Sequence, residues 1–316
     1  LMAKVLLARP LPEAVVTRAQ ALFDVTVRAE TTPLSGTEMR AALADYDAVM
    51  PTLGDLFRAE VFADVPGARC KLLANFGVGF NHIDAAAAVA AGIAVTNTPG
   101  AVTDATADIA MTLMLMSARR ASEGERMVRA GAWEGWHPTQ MLGLHLSGKT
   151  VGIIGMGRIG KAIARRCHYG FGMEVIYHNR SQTEAGLPAR QLPLEQVLQA
   201  DFVVIAVPGG PATRHLINAE TLAQMQPHAI LINIARGDVI EEAALVAHLA
   251  AGKIAGAGLD VYEREPQISP ALMQMQNVTL LPHLGTAVEK VRVDMGMMAL
   301  ENLIAHLEGG TLPNAV

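Results

Sequence analysis

Short apolar runs alternate with stretches of helical periodicity along the 316 residues, the pattern of an α/β protein with parallel sheets. Strands are predicted at Lys4–Ala8, Val25–Arg28, Asp47–Met50, Lys71–Ala74 and Gly92–Asn97, with a helix over Glu13–Leu22 after the Pro10–Pro12 break. A second series predicts strands at Thr150–Ile154, Glu174–Tyr177, Phe202–Val207, Ile230–Ile234, Gly256–Asp260 and Val278–Leu281. Six strands with helical material between them fit a doubly wound sheet. Between the two series a helix is expected from about Asp104 to Arg120, capped by Thr103 or Asp104, with Arg119-Arg120 complementing its dipole. Its stripe of Met and Leu reads as core or subunit contact. Gly131–Ser147 reads as a loop that holds both tryptophans, Trp133 and Trp136. A final helix, about Val288–Leu307, lies too far past the sixth strand to serve that sheet and is expected to return to the first. The expected organisation is a discontinuous domain, residues 1–99 and 287–316, around a second domain at 100–286.

Composition narrows the function. Apolar residues make up 51% of the chain and charged residues 17%, enough to bury two cores and the opposite of a disorder signature. A formal charge of −5 argues against a nucleic-acid binder, which needs a basic stripe. Cys70 and Cys167 are the only cysteines and stand in no metal-ligand spacing, so neither a disulfide framework nor a metal site is expected. The first thirty residues show no basic-then-apolar leader, and no apolar run reaches membrane-spanning length. The expectation is a cytoplasmic protein without a membrane or nucleic-acid partner.

The run Val151-Gly152-Ile153-Ile154-Gly155-Met156-Gly157-Arg158-Ile159-Gly160 takes an apolar strand straight into G-x-G-x-x-G, with helical sequence from Lys161 to Cys167 behind it. Gly155 permits the tight turn, Gly157 lets a pyrophosphate approach the backbone, and Gly160 lets helix and strand pack closely. Amides at the helix N-terminus would face the phosphates, and Met156, Arg158 and Ile159 join the three glycines as cofactor-binding candidates. This is the dinucleotide fingerprint of a Rossmann domain. About 20 residues on, where an NAD site places an acid on the ribose hydroxyl, stand Asn179-Arg180-Ser181. No carboxylate there repels a 2′-phosphate, and Arg180 with Ser181 can bind one, so NADP is the expected cofactor, with NAD as the alternative. Arg180 as a plain surface cation is the bland reading.

Three polar residues stand at or beyond strand ends of the second series: Arg236 after Ile230–Ile234, Glu265 past Gly256–Asp260, and His283 after Val278–Leu281. Open α/β sheets bind ligands on that carboxyl edge. Reduction of a ketone by hydride needs a proton for the forming alkoxide, which suits an imidazolium at His283. A carboxylate at Glu265 would favour the charged ring and hold it. Arg236 can bind a substrate carboxylate bidentately and polarise the neighbouring carbonyl.

With these residues the chain resembles the D-isomer-specific 2-hydroxyacid dehydrogenases, and within them the glyoxylate/hydroxypyruvate reductase branch. The resemblance runs through Asn75-Phe76-Gly77-Val78-Gly79-Phe80-Asn81-His82-Ile83-Asp84, Asn97-Thr98-Pro99-Gly100, Thr103-Asp104-Ala105-Thr106-Ala107-Asp108, the Gly155 fingerprint, Ile232-Asn233-Ile234-Ala235-Arg236-Gly237, Gly258-Leu259-Asp260-Val261 and Leu281-Pro282-His283-Leu284-Gly285. It spans essentially the whole chain. It implies an α/β fold of two doubly wound parallel-sheet domains, a Rossmann cofactor domain and a smaller flavodoxin-like substrate domain. It implies Arg236, Glu265 and His283 as the catalytic trio. Val78 and Gly79 match the amides that hold the substrate carboxylate, and Leu53 the lining of the same pocket. Thr103, Ala235 and Asp260 match positions around the nicotinamide; Pro208 matches the residue flanking the adenine, with Thr213 a second candidate there, and Val207, His283 and Gly285 count as further cofactor-binding candidates. The family implies a homodimer, with the helix near Asp104–Arg120 and the following loop at its interface and Trp136 as the candidate to reach the partner's site; interface packing alone is the other reading of Trp136. The implied activity is NADPH-dependent reduction of small 2-keto acids such as glyoxylate and hydroxypyruvate. A dehydrogenase for bulkier D-2-hydroxy acids and a catalytically silent cofactor-sensing protein are the competing readings.

Overall fold

The computed structural model describes residues 2–316 and divides into two compact units, Leu1–Val102 with Thr286–Val316, and Thr103–Gly285.

In the first unit five parallel strands, β1 (Lys4–Leu7), β2 (Asp24–Val27), β3 (Ala48–Met50), β4 (Leu72–Ala74) and β5 (Ala94–Thr96), line up in the order β2-β1-β3-β4-β5. That is the flavodoxin-like order of a doubly wound sheet. The central runs are apolar on both faces, as helix-covered parallel strands must be; Val5, Leu7, Val49, Leu72 and Leu73 are fully buried. The terminal helix, Glu289–Leu307, packs on β4 and on the helix Glu13–Leu22. Gly296 makes that approach possible, because a Cβ there would lie 2.5 Å from Val15 Cγ2. Gly296→Ala is therefore expected to lose about 1–3 kcal/mol of stability to overpacking, despite the better helix propensity of alanine. An unchanged urea midpoint would show that Val15 yields freely. Beyond this helix Ala315 pairs antiparallel with Thr96 on the edge strand, and the buried Asn302 ties the segment down through two hydrogen bonds of 3.1 Å to Asn314.

The second unit has seven parallel strands: β6 (Thr150–Ile154), β7 (Glu174–His178), β8 (Arg190–Gln191), β9 (Phe202–Ile205), β10 (Ile230–Asn233), β11 (Gly256–Leu259) and β12 (Val278–Leu280). Their order, β12-β11-β10-β9-β6-β7-β8, is the Rossmann arrangement with one further strand at the edge. Alternate side chains feed two cores. Val151, Ile153, Phe202, Val204 and Ile232 pack under the helices Thr103–Ala118 and Arg158–Arg165, while Ile154, Val203, Ile205, Leu231 and Leu259 face the other way. The two-residue β8 is polar and half exposed, so no apolar run announced it.

Two expectations need correction. The helix begun at Thr103 stops at Ala118 and does not reach Arg120. Leu144 donates its amide to the Ala118 carbonyl at 2.8 Å and ends the ladder, Arg120 turns left-handed (φ 54°), and a second helix, Ala121–Arg129, follows. The strands are also shorter than their apolar runs suggest: β9 ends at Ile205, β10 at Asn233 and β12 at Leu280. The residues beyond them form the loops described next. Among the described residues, no helix is long and apolar enough to cross a membrane.

Candidate active site

All three predicted catalytic side chains lie in the second unit, on loops at the carboxyl ends of β10, β11 and β12. β10 passes into the Arg236 turn through Asn233, which is fully buried; its Oδ1 accepts the Ala235 amide at 3.0 Å and its Nδ2 donates to the Arg236 carbonyl at 2.9 Å. Gly237 follows, and only glycine fits: a Cβ there would sit 1.8 Å from the carbonyl carbon of Tyr262 and 2.4 Å from the Glu263 nitrogen. The Arg236 turn is thus pressed against the loop that bears Glu265.

Glu265 is held from two sides. Its Oε1 accepts the Tyr262 amide at 3.0 Å, and its Oε2 lies 2.8 Å from His283 Nδ1. The side chains of His283 and Glu265 retain 30% and 29% of their exposure, so the pair is reachable. Burial pushes the Glu265 carboxyl up, but the His283 hydrogen bond and charge, the Tyr262 amide and the Arg236 charge outweigh it and hold it below the usual value. An ionised carboxylate only accepts, so Nδ1 of His283 must carry the hydrogen of that contact. Nε2 has no partner among the described residues and is left to exchange a proton. Arg236 is half-buried, donates to the Ala235 carbonyl at 2.8 Å and feels the charges of Glu265 and Asp238; burial lowers its pKa against their pull, yet a guanidinium stays charged.

The His283 backbone is itself constrained. It sits in the left-handed region (φ 56°), a costly place for a non-glycine residue. Asp260 enforces it: the His283 amide donates to the Asp260 carbonyl at 3.0 Å, and the carboxylate accepts the amides of Leu284 at 2.7 Å and Gly285 at 2.9 Å. Asp260 is buried, and burial raises its pKa against those amides and the charge of His283. The hydroxyl of Tyr262 adds a strap, donating to Leu281 at 2.8 Å, two residues before His283. Thr106 closes the turn on the Gly285 carbonyl at 3.3 Å.

The glycine-rich loop lies on the same carboxyl edge, after β6. Gly155 is left-handed (φ 98°) with its Cβ position 2.6 Å from the Ala206 carbonyl and 3.0 Å from Val207, while Gly160 abuts the Gly155 carbonyl. Nothing lies within 4 Å of a Cβ at Gly157, which caps the helix Arg158–Arg165. That open space above free helix amides fits a pyrophosphate. Asn179 turns inward and accepts the Met156 amide at 3.1 Å, and its Nδ2 donates to the Ser181 carbonyl at 2.9 Å. Arg180 is exposed and makes no hydrogen bond or ion pair among the described residues. Thr103 opens its helix and Pro208 is exposed, while the Thr213 hydroxyl is spent on the Pro208 carbonyl at 2.7 Å.

In the first unit, the turn after β4 contains Val78 and Gly79. Asn75 Nδ2 donates to the carbonyls of Gly77 and Gly79, each at 3.0 Å, and Asn97 donates to that of Val78 at 2.9 Å. His82 Nε2 is 2.8 Å from Asn75 Oδ1. The carbonyls are thereby turned away, and the amides of Val78, Gly79 and Phe80 have no partner among the described residues, an anion-accepting turn. Leu53 is 40% exposed, its carbonyl held by Arg9, which is paired with the buried Asp55. Trp136 is 79% exposed in the single chain.

Asn233, Gly237 and Tyr262 in the second unit, and Asn75 and His82 in the first, shape these turns, although none of them stands among the candidate site residues above. Asn75 directly follows β4 and Asn233 is the last residue of β10, each a polar residue ending an apolar run.

Residues 111–285 match the family description "D-isomer specific 2-hydroxyacid dehydrogenase, NAD binding domain". Over 99% of its length the chain is 43% identical to a glyoxylate reductase of Pyrococcus furiosus, covering 95% of that protein. This chain belongs to the D-isomer-specific 2-hydroxyacid dehydrogenase family. The dehydrogenase is also 39% identical to a glycerate dehydrogenase of Hyphomicrobium methylovorum, over 97% of this chain and 96% of that one. Among solved structures it superposes with a TM-score of 0.89 on an NADPH-dependent glyoxylate/hydroxypyruvate reductase of Sinorhizobium meliloti in complex with NADP and malonate, at 35% identity and with 100% and 97% of the two chains covered. Its relatives place the dehydrogenase in the glyoxylate/hydroxypyruvate reductase branch, as an NAD(P)-dependent 2-hydroxyacid dehydrogenase.

Proposed function

We propose that this dehydrogenase reduces glyoxylate and hydroxypyruvate to their 2-hydroxy acids with NADPH. The observation that carries the reading is the His283–Glu265 pair, with Nε2 unengaged and a guanidinium in electrostatic reach, on the sheet edge that also bears the glycine-rich loop. Bound at that loop, the reduced nicotinamide supplies the hydride. Arg236 steadies the negative charge that grows on the carbonyl oxygen. His283 gives the Nε2 proton to that oxygen as it becomes an alkoxide, and Glu265 steadies the imidazolium beforehand and fixes the ring. Asp260 keeps the turn beneath them in place. Taken by itself, the turn at Val78, Gly79 and Phe80 in the first unit suits a small carboxylate.

NADPH is preferred in this reading because no acid stands at Asn179-Arg180-Ser181, directly after β7, and Arg180 is unpaired, ready for a 2′-phosphate. Arg180→Ala is then expected to raise KM for NADPH by roughly ten- to a hundredfold, the worth of about 1.5–3 kcal/mol, and to leave NADH nearly unaffected. Equal losses with both cofactors would remove the phosphate assignment. Exposed Val128, Trp133, Trp136 and Leu142 form the apolar set that a second copy would cover in a homodimer. Initial rates over glyoxylate, hydroxypyruvate, pyruvate and a phenyl-substituted keto acid test the substrate reading; preference for the phenyl-substituted acid would transfer the enzyme to the bulkier-substrate class.

A further inference from the structure

A second histidine–carboxylate pair lies behind the Arg236 and Glu265 loops, and the chemistry above does not use it. His215 Nε2 is 2.5 Å from Glu263 Oε1, with 31% and 17% of the two side chains exposed. The other Glu263 oxygen accepts the amide of Glu242, first residue of the helix Glu242–Ala250, at 3.0 Å, and Glu242 Oε1 accepts the Glu263 amide at 3.3 Å. Burial works against the Glu263 charge, but the hydrogen bonds and charge of His215, the Glu242 amide and nearby Arg214 hold its carboxyl below the usual value. Glu263 is two residues from Glu265 on the same loop.

His215 also reaches the other loop. Its own amide donates to the Asp238 carbonyl at 2.8 Å, next to Gly237, and Ile217 continues the contact by donating to Val239 at 3.0 Å. The residue is left-handed (φ 50°), a conformation kept only where surrounding bonds over-determine it. One residue therefore fastens the Arg236 loop with its backbone and the Glu265 loop with its ring, at the place where the two touch at Gly237.

We infer that the His215–Glu263 pair is a positioning device for the reduction: it sets Arg236 against Glu265 and, through Glu265, the aim of His283. This rests on the catalytic reading of the trio given above. A pair that merely capped the helix Glu242–Ala250 would affect stability and leave turnover alone.

The test uses the full chain with glyoxylate and NADPH, measuring kcat, both KM values and the melting temperature of Glu263→Ala, His215→Ala, His215→Gln, Glu265→Gln and the Glu263→Ala/Glu265→Gln double variant. Glu263→Ala and His215→Ala are expected to lower kcat about tenfold or more, as displaced reacting groups do, with KM for NADPH within about twofold. His215→Gln, whose amide can replace the ring nitrogen on Glu263, should recover most of the loss. In the Glu265→Gln background, Glu263→Ala should add less than about a twofold loss, because the group it acts through has gone. The inference falls if both single variants keep kcat within about twofold, or if the Glu263→Ala loss recurs undiminished beside Glu265→Gln. Should Glu265→Gln alone leave kcat intact, the catalytic reading itself is wrong and the inference goes with it.

Discussion

His283→Ala is expected to lower turnover of a 2-keto acid by roughly 10²–10⁴-fold while NADPH still binds. The size follows from the geometry. Glu265 takes the Nδ1 hydrogen at 2.8 Å, which leaves Nε2 as the nitrogen free to deliver a proton. Without that proton the alkoxide forms unneutralised, so the loss falls on kcat more than on KM. The fold should tolerate the change, since the turn is held by the backbone and carboxylate of Asp260 and not by the imidazole. Alanine does inherit a left-handed backbone, so a modest drop in melting temperature is expected alongside. Near-normal turnover in a folded His283→Ala enzyme would remove the proton-donor role.

Gly237→Ala is the second large effect expected, and it touches no reacting atom. The added methyl would lie 1.8 Å from a backbone carbon of Tyr262, and backbone cannot step aside as a flexible side chain can. Either the Arg236 turn or the Tyr262–Glu265 loop must move. Separation of the trio by about 1 Å is enough to cost on the order of 10²-fold in kcat. Overpacking should also remove roughly 1–3 kcal/mol of stability. Cofactor affinity should change little, because the glycine-rich loop proposed to bind it follows β6 and is not touched by the substitution. If kcat stays within about twofold of wild type, the contact at Gly237 does not govern the site.

Much of this was legible in the sequence because the deciding signals are local. Parallel strands buried on both faces must be apolar throughout, so each appeared as a short run, and the fold class read from them is the one observed. The glycine-rich turn is likewise dictated by one stretch of chain. The rest is tertiary. Asp260 sits where a cofactor contact was expected, yet its carboxylate is buried and receives the amides of Leu284 and Gly285, more than twenty residues away. The ties from Tyr262 to Leu281 and from His215 to Glu263 likewise join segments that sequence spacing cannot pair. The stop at Ala118 depends on Leu144, which arrives from a distant loop. The helix Gly36–Asp45 does carry a local signal, the S-x-x-E of Ser35 and Glu38, which form a reciprocal capping box at its start.

The central claim is that a proton from His283 and a hydride from NADPH meet on one small keto acid. Following nicotinamide absorbance on mixing the purified chain with NADPH and glyoxylate tests it most directly. Steady oxidation of NADPH by the wild type, with 2-hydroxy acid formed in equal amount and almost none in His283→Ala, is the expected result. Absence of oxidation with both glyoxylate and hydroxypyruvate, in protein that binds NADPH, would contradict it.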